Sequence, residues 1–161
     1  MEMRKRMYHR FPVHEVEFTQ NYSFWGNLPY IVKTLAGMNN KSGSINMKGT
    51  SDHTLQVKRD IKVEIAEASM DFKPLGPENM DVVLEDIEDN GTLDFKIKIL
   101  YSRLDTDYRR VAFNEDTFLV RCELRQGIMT LKIHLLNGPE HTNCGEIAST
   151  LIDEIVRGQA K

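Results

Sequence analysis

The sequence predicts a mainly β fold: an antiparallel small barrel or strongly curved sheet, with one short helix near the N-terminus and an amphipathic C-terminal helix. Three observations carry this expectation. Apolar and polar residues alternate through much of the middle of the chain, as half-buried strands require. The dipeptides Asn90-Gly91 and Gln126-Gly127 punctuate such runs as tight turns do. Near residue 143 the apolar period changes to that of a helix.

The elements follow in chain order. A strand is expected over residues 13–19, then a helix over 29–36 with Pro29 in its first turn and Gly37 as its stop, burying Leu28, Ile31, Val32 and Leu35. Strands are expected over 43–48 and through Leu55, Val57, Ile61, Val63 and Ile65, where Arg59 takes a position that the alternation reserves for an apolar residue. A hairpin turning at Asn90-Gly91 would set Leu84 against Ile97, Val82 against Ile99 and Glu85 against Lys96. A strand over 109–113 ends at the turn signal Asn114-Glu115-Asp116.

A second hairpin, turning at Gln126-Gly127, sets Leu124 opposite Met129, Cys122 opposite Leu131, Val120 opposite Ile133 and Phe118 opposite Leu135. All four pairs share one face, so Arg121, Glu123, Lys132 and His134 point away from it. The last helix spans 143–157, with Asn143 as N-cap and Glu146 completing a capping box. Its apolar stripe is Ile147, Ala148, Leu151, Ile152, Ile155 and Val156, and Gly158 ends it.

At 161 residues and 40% hydrophobic content the chain can build one sizeable core, so residues 1–161 read as a single domain, of which 1–10 form a basic arm. A net charge of -3, from 21 basic and 24 acidic residues, removes the general electrostatic case for binding a nucleic-acid polymer. The only cysteines are Cys122 and Cys144, and no apolar run approaches the ~20 residues of a membrane span or follows the basic start as a signal peptide would. Reduced thiols and a cytoplasmic location are expected, with no membrane association.

Chemistry is concentrated in the segment Arg4-Lys5-Arg6-Met7-Tyr8-His9-Arg10. Guanidinium groups match phosphate oxygens bidentately and stack on flat rings, so arginines on a mobile arm suit a nucleotide, whereas the plainer reading is a solvated basic terminus. Arg6 to Arg10 spell R-x-x-x-R just before Phe11-Pro12-Val13, and Asn40-Lys41-Ser42-Gly43-Ser44-Ile45 runs into a strand. In both features the chain resembles the PilZ family, β-barrels that bind cyclic di-GMP. The strand-turn-strand from Ile99 to Phe113 is similar to one found late in such domains. The second motif departs from the family's D/N-x-S-x-x-G: Ile45 stands at the glycine position and Gly43 comes two residues earlier.

The resemblance implies a non-enzymatic sensor or adaptor in which Arg6 and Arg10 grip the dinucleotide from one side and Asn40, Ser42 and Gly43 from the other. A protein partner would read the bound state. A rival expectation is a helix-grip domain of the START type, holding a hydrophobic ligand in an apolar cavity between helix and sheet. A third is an assembly subunit that pairs through its sheet edges, the oligomeric state being open.

Other residues point less far. Asp86 to Asp94 spaces its oxygens like a calcium loop, but Ile97 stands at the twelfth position, so an acidic hairpin tip is expected. His141 and Cys144 are too few for a zinc site, and no metal or other cofactor is expected. Cys144, in the first helical turn, could have a lowered thiol pKa, without an assignable base. Ser51-Asp52-His53 reads as a turn, since catalytic triads converge in space rather than in sequence. No P-loop, G-x-G-x-x-G or H-E-x-x-H occurs, so no catalytic residues are assigned and no enzyme is expected. Phe24, Trp25 and Tyr30 are expected in the core.

Overall fold

The computed structural model describes residues 6–48, 54–67 and 71–159. Its strands are β1 (Phe18–Ser23), β2 (Ser42–Lys48), β3 (Thr54–Glu67), β4 (Asp71–Pro74), β5 (Gly91–Leu104), β6 (Arg110–Arg125) and β7 (Ile128–Asn137). Three helices, α1 (Leu28–Met38), α2 (Met80–Glu85) and α3 (Cys144–Gln159), complete the chain. All pairings are antiparallel, in the order β1-β7-β6-β5-β3-β2 with β4 on β3, and the sheet curls into a half-barrel. The mainly β expectation is met.

Period-two alternation decides which face of each strand is covered. Val63 and Ile65 of β3, Leu93, Phe95, Ile97, Ile99 and Tyr101 of β5, and Phe118, Val120, Cys122 and Leu124 of β6 are all buried. They meet Leu28, Ile31, Val32, Leu35 and Met38 of α1 and Ile147, Leu151 and Ile155 of α3 in one core. The Tyr30 hydroxyl ties α1 to α3 by donating to the Ile155 carbonyl at 2.6 Å. The Gln126-Gly127 hairpin forms in the expected register, with Leu124 on Met129, Cys122 on Leu131, Val120 on Ile133 and Phe118 on Leu135.

The opposite face of the sheet carries Asp94 and Arg121, a cross-strand pair, and the N-terminal arm lies over it. Two guanidinium nitrogens of Arg121 donate to the two Asp94 oxygens at 2.8 Å, and the Tyr8 amide donates to the same carboxylate. Phe11 lies under the Arg121 guanidinium, 4.5 Å from its carbon, and Tyr8 packs on Phe72. Residues 6–13 are therefore held to the sheet through turns and side-chain contacts, and no strand forms over 11–17; β1 begins at Phe18.

Several local expectations are corrected. Residues 80–85 form α2 rather than the first arm of an Asn90-Gly91 hairpin, and β5 pairs with β3 instead: Ile97 faces Val63, Ile99 faces Ile61 and Lys96 faces Glu64. Six residues with alternating apolar character fit a short helix as well as a strand; here Val83 is buried and Val82 is exposed. Asn114-Glu115-Asp116 does not end a strand, because β6 runs through it opposite Tyr101, Leu100 and Ile99. Its polarity serves another purpose: Asp116 is buried and accepts the Glu140 and Thr142 amides, anchoring the loop between β7 and α3.

Gly37 lies inside α1, which closes two residues later with the Asn39 amide donating to Leu35 O. Asn40 follows in the left-handed region at φ 71, which asparagine tolerates. In α3, Asn143 accepts the Glu146 amide at 2.9 Å as a cap should, but the helix reaches Gln159, past Gly158, and Val156 is exposed rather than part of the buried stripe. Trp25 is 79% exposed, not in the core, while Phe24 is buried. Residues 51–53 lie outside the described residues.

Candidate ligand-binding cavity

The register of the sheet brings Gly43 of β2, Arg59 of β3, Tyr101 of β5 and Asn114 of β6 into one row. Arg59 is in phase with buried Val57 and Val63, so its side chain belongs to the inner face. Gly43 beside it has no side chain, and a Cβ built there would meet nothing within 4 Å. Gly43 is exposed on the edge strand β2, so the row opens to solvent at this end. A cavity of about 200 Å³ occupies this end of the core, bounded by β2, β3 and β5, the end of α1 and the first turns of α3.

Its apolar wall is Met38, Ile61, Ile97, Ile99 and Ile147, and its polar side is Lys41, Ser42, Arg59, Thr142, Thr150 and Glu154. A fixed hydrogen-bond chain supports the polar side. Arg59 Nη1 donates to Thr142 Oγ1 at 3.2 Å, and Thr142 Oγ1 lies 2.6 Å from the Tyr101 hydroxyl. That hydroxyl donates to Asp116 Oδ2 at 2.6 Å. With its one proton given to Asp116, Tyr101 accepts from Thr142, and Thr142 in turn accepts from Arg59. Burial, then the neighbouring Asp116, pushes the Tyr101 phenol well above its ordinary value, so it stays a protonated donor.

The two cations differ in how they are held. Lys41 Nζ donates to Glu154 at 3.2 Å. The carboxylate nearest Arg59 is that of Glu146, at 3.6 Å and on a side chain 51% exposed. That separation is beyond a hydrogen bond, so solvent weakens the pairing.

Of the expected site residues, Ser42 and Gly43 line the cavity. Asn40 stands just outside it, accepting from Lys62 and donating its amide to Ile61 O. The arginine pair is elsewhere. Arg6 is buried, with Nη1 donating to Ala66 O at 3.1 Å and Nη2 to Asp86 at 3.0 Å, whereas Arg10 is exposed. Arg6 meets β3 at Ala66 and Asn40 meets it at Ile61, five residues or roughly 17 Å of strand apart. The structure does not bring the two halves of the expected dinucleotide site together around Arg6.

Arg59 is the cavity residue that its sequence position flagged, as a cation in an apolar phase. Thr142 and Tyr101 carried no such signal, because their roles depend on contacts across 41 residues of chain. Among the described residues no group of His, Cys, Asp and Glu could hold a metal ion. Cys144 is buried, and desolvation, aided by Glu17 and Glu140, pushes its thiol up to about 11, opposite to the helix N-terminal expectation. Among the described residues no helix is long and apolar enough to cross a membrane.

No family model, no curated protein and no solved structure matches this chain.

Proposed function

We propose that this protein is a non-catalytic binding domain whose site is the cavity between α3 and the curled sheet, taking a small ligand with an apolar body and a polar head. One observation carries the reading: Arg59, in phase with core residues of its strand, stands at the rim of a hollow walled by Met38, Ile61, Ile97, Ile99 and Ile147, beside Gly43, which has no side chain to cover it. A concave, mainly apolar hollow with a few convergent polar groups is the usual form of a small-molecule site. At about 200 Å³ it is smaller than the sterol- or lipid-sized chamber of a large helix-grip protein. It matches roughly seven waters' share of liquid volume, the bulk of a six-carbon compound.

The test is a titration of hexanol, a neutral six-carbon probe, followed through isoleucine methyl resonances. Saturable shifts confined to Ile61, Ile97, Ile99 and Ile147 support the site, and Gly43→Ile, which adds a side chain beside Arg59 at a position where a Cβ meets nothing within 4 Å, abolishes them. Shifts that survive Gly43→Ile, or none in the wild type, contradict it. Cyclic di-GMP is titrated in parallel, because exposed Arg10 with Asn40 and Ser42 keeps the sensor reading testable. Saturable dinucleotide binding that is lost in Arg10→Ala would favour that reading over the cavity.

A further inference from the structure

We infer that the ligand of this cavity is a short aliphatic carboxylate, whose head group takes the Arg59 guanidinium in place of Glu146 while its chain lies along Ile61, Ile97 and Ile99. This deepens the cavity reading and rests on it. A guanidinium carries five N–H donors in a planar fork, suited to two parallel bonds with a carboxylate. Among the described residues Arg59 makes one hydrogen bond, from Nη1 to Thr142. The rest of the fork lies at a cavity mouth with its side chain 27% exposed.

Glu146 occupies the place of a competitor rather than a partner. At 3.6 Å it does not complete a bidentate pair, and half its side chain is in water, so turning it outward costs little. It also sits in the first turn of the 16-residue α3, where the helix N-terminus favours negative charge. A ligand carboxylate arriving at Arg59 would meet the same field and restore the negative charge that Glu146 gives up. The second cation is already taken, since Lys41 donates to Glu154.

Positioning is built in behind the head group. Thr142 is fixed by Tyr101 and by the hydrogen bond its own amide donates to Asp116, so the one hydrogen bond that the Arg59 guanidinium donates goes to a rigid hydroxyl. Ile61, Ile97 and Ile99 continue the lining beyond the guanidinium, and Lys41, the other cation of the described lining, is held by Glu154.

Hexanoate and hexanol, equal in chain length, are titrated by calorimetry at neutral pH into the wild type, Arg59→Met and Glu146→Gln, each confirmed folded by circular dichroism. The wild type is expected to prefer hexanoate at least tenfold. Arg59→Met brings hexanoate down to the affinity that the same variant has for hexanol. Glu146→Gln tightens hexanoate severalfold without altering hexanol, an outcome that a purely structural Arg59–Glu146 pair does not produce. Equal affinity for acid and alcohol in the wild type overturns the carboxylate assignment while the cavity stands. So does an acid-to-alcohol ratio that Arg59→Met leaves intact, or a Glu146→Gln variant that binds hexanoate no tighter. Binding of neither compound overturns the cavity itself and this inference with it.

Discussion

Replacing Arg6 by alanine tests whether the N-terminal arm is a structural strap. Its guanidinium ties the end of β3, through the Ala66 carbonyl, to the end of α2, through Asp86, while the Arg6 backbone carbonyl separately accepts the Asp94 amide at 2.8 Å. Removing the side chain strands the buried Ala66 carbonyl, which costs roughly 1–3 kcal/mol. It also ends a part-buried ion pair with a carboxylate that is 28% exposed, worth about 1 kcal/mol after solvent screening. Loss of the packed aliphatic stem adds to this. The total is about 3 kcal/mol, or a fall in melting temperature of roughly 6–12 °C for a chain of this length. Arg10→Ala, at an exposed position, should change stability by less than about 0.5 kcal/mol. Urea unfolding of both variants measures the difference, and an Arg6→Ala variant as stable as the wild type would refute the strap.

Other predictions concern the core and its titratable groups. Leu151→Ala, at a position 1% exposed, should cost about 2–5 kcal/mol in urea, whereas Val156→Ala on the same helix should cost less than about 0.5 kcal/mol. Burial raises the Asp94 carboxyl above the ordinary carboxylate value, outweighing the opposing pull of Arg121 and the Tyr8 amide, so the native state holds this proton more tightly than the unfolded chain. The Asp94 contribution is then fully present below pH ~4 and is lost as pH rises through the raised native value. Asp94→Asn should remove that slope from urea midpoints measured between pH 4 and 7. Burial pushes the thiols of Cys122 and Cys144 up to about 12 and about 11, so at pH 7.5 a disulfide reagent should label neither until the protein unfolds, and rapid native labelling of Cys144 would contradict the packing of α3. Gly138→Ala should destabilise by about 2–3 kcal/mol, as backbone strain plus a clash requires, because φ is 119° and its Cβ would run into Asp116 Oδ1 and the Glu115 carbonyl.

What could be read from the sequence follows from how local each signal is. The Gln126-Gly127 hairpin was legible down to its register because a two-residue turn and four apolar pairs constrain one another. The stripes of α1 and α3 were legible because 3.6-residue periodicity lies within one segment, as does the Asn143 cap of α3, whereas the end of α1 was not set by Gly37. α2 was not, since Val82 and Leu84 mimic a strand over a span too short to show a helical period. Asn114 to Asp116 misled because a polar run inside a strand looks like a turn until the loop it anchors, residues 140–142, is in place.

The site divides along the same line. Arg59 broke the alternation of its own strand and so was visible, but what stands beside it depends on strand order, which the sequence does not encode locally. Only the assembled register sets Gly43 next to Arg59 and Tyr101 beyond it. The arginine arm had a local pattern of low specificity, and its two arginines are placed differently, Arg6 buried and Arg10 exposed. Arg6 is held inside the fold by residues 60 and 80 positions away, distances no spacing rule spans.

A small-ligand cavity with Arg59 at its polar side leaves a direct signature in isotope-filtered NOE spectroscopy of hexanoate bound to the labelled protein. The terminal methyl of the acid should show contacts to the methyls of Ile97 and Ile99, and its α-methylene contacts to Arg59. Contacts instead with Phe18, Tyr22 and Ile152, in the open trough between β1 and α3, would contradict it, as would the absence of any contact at saturating acid.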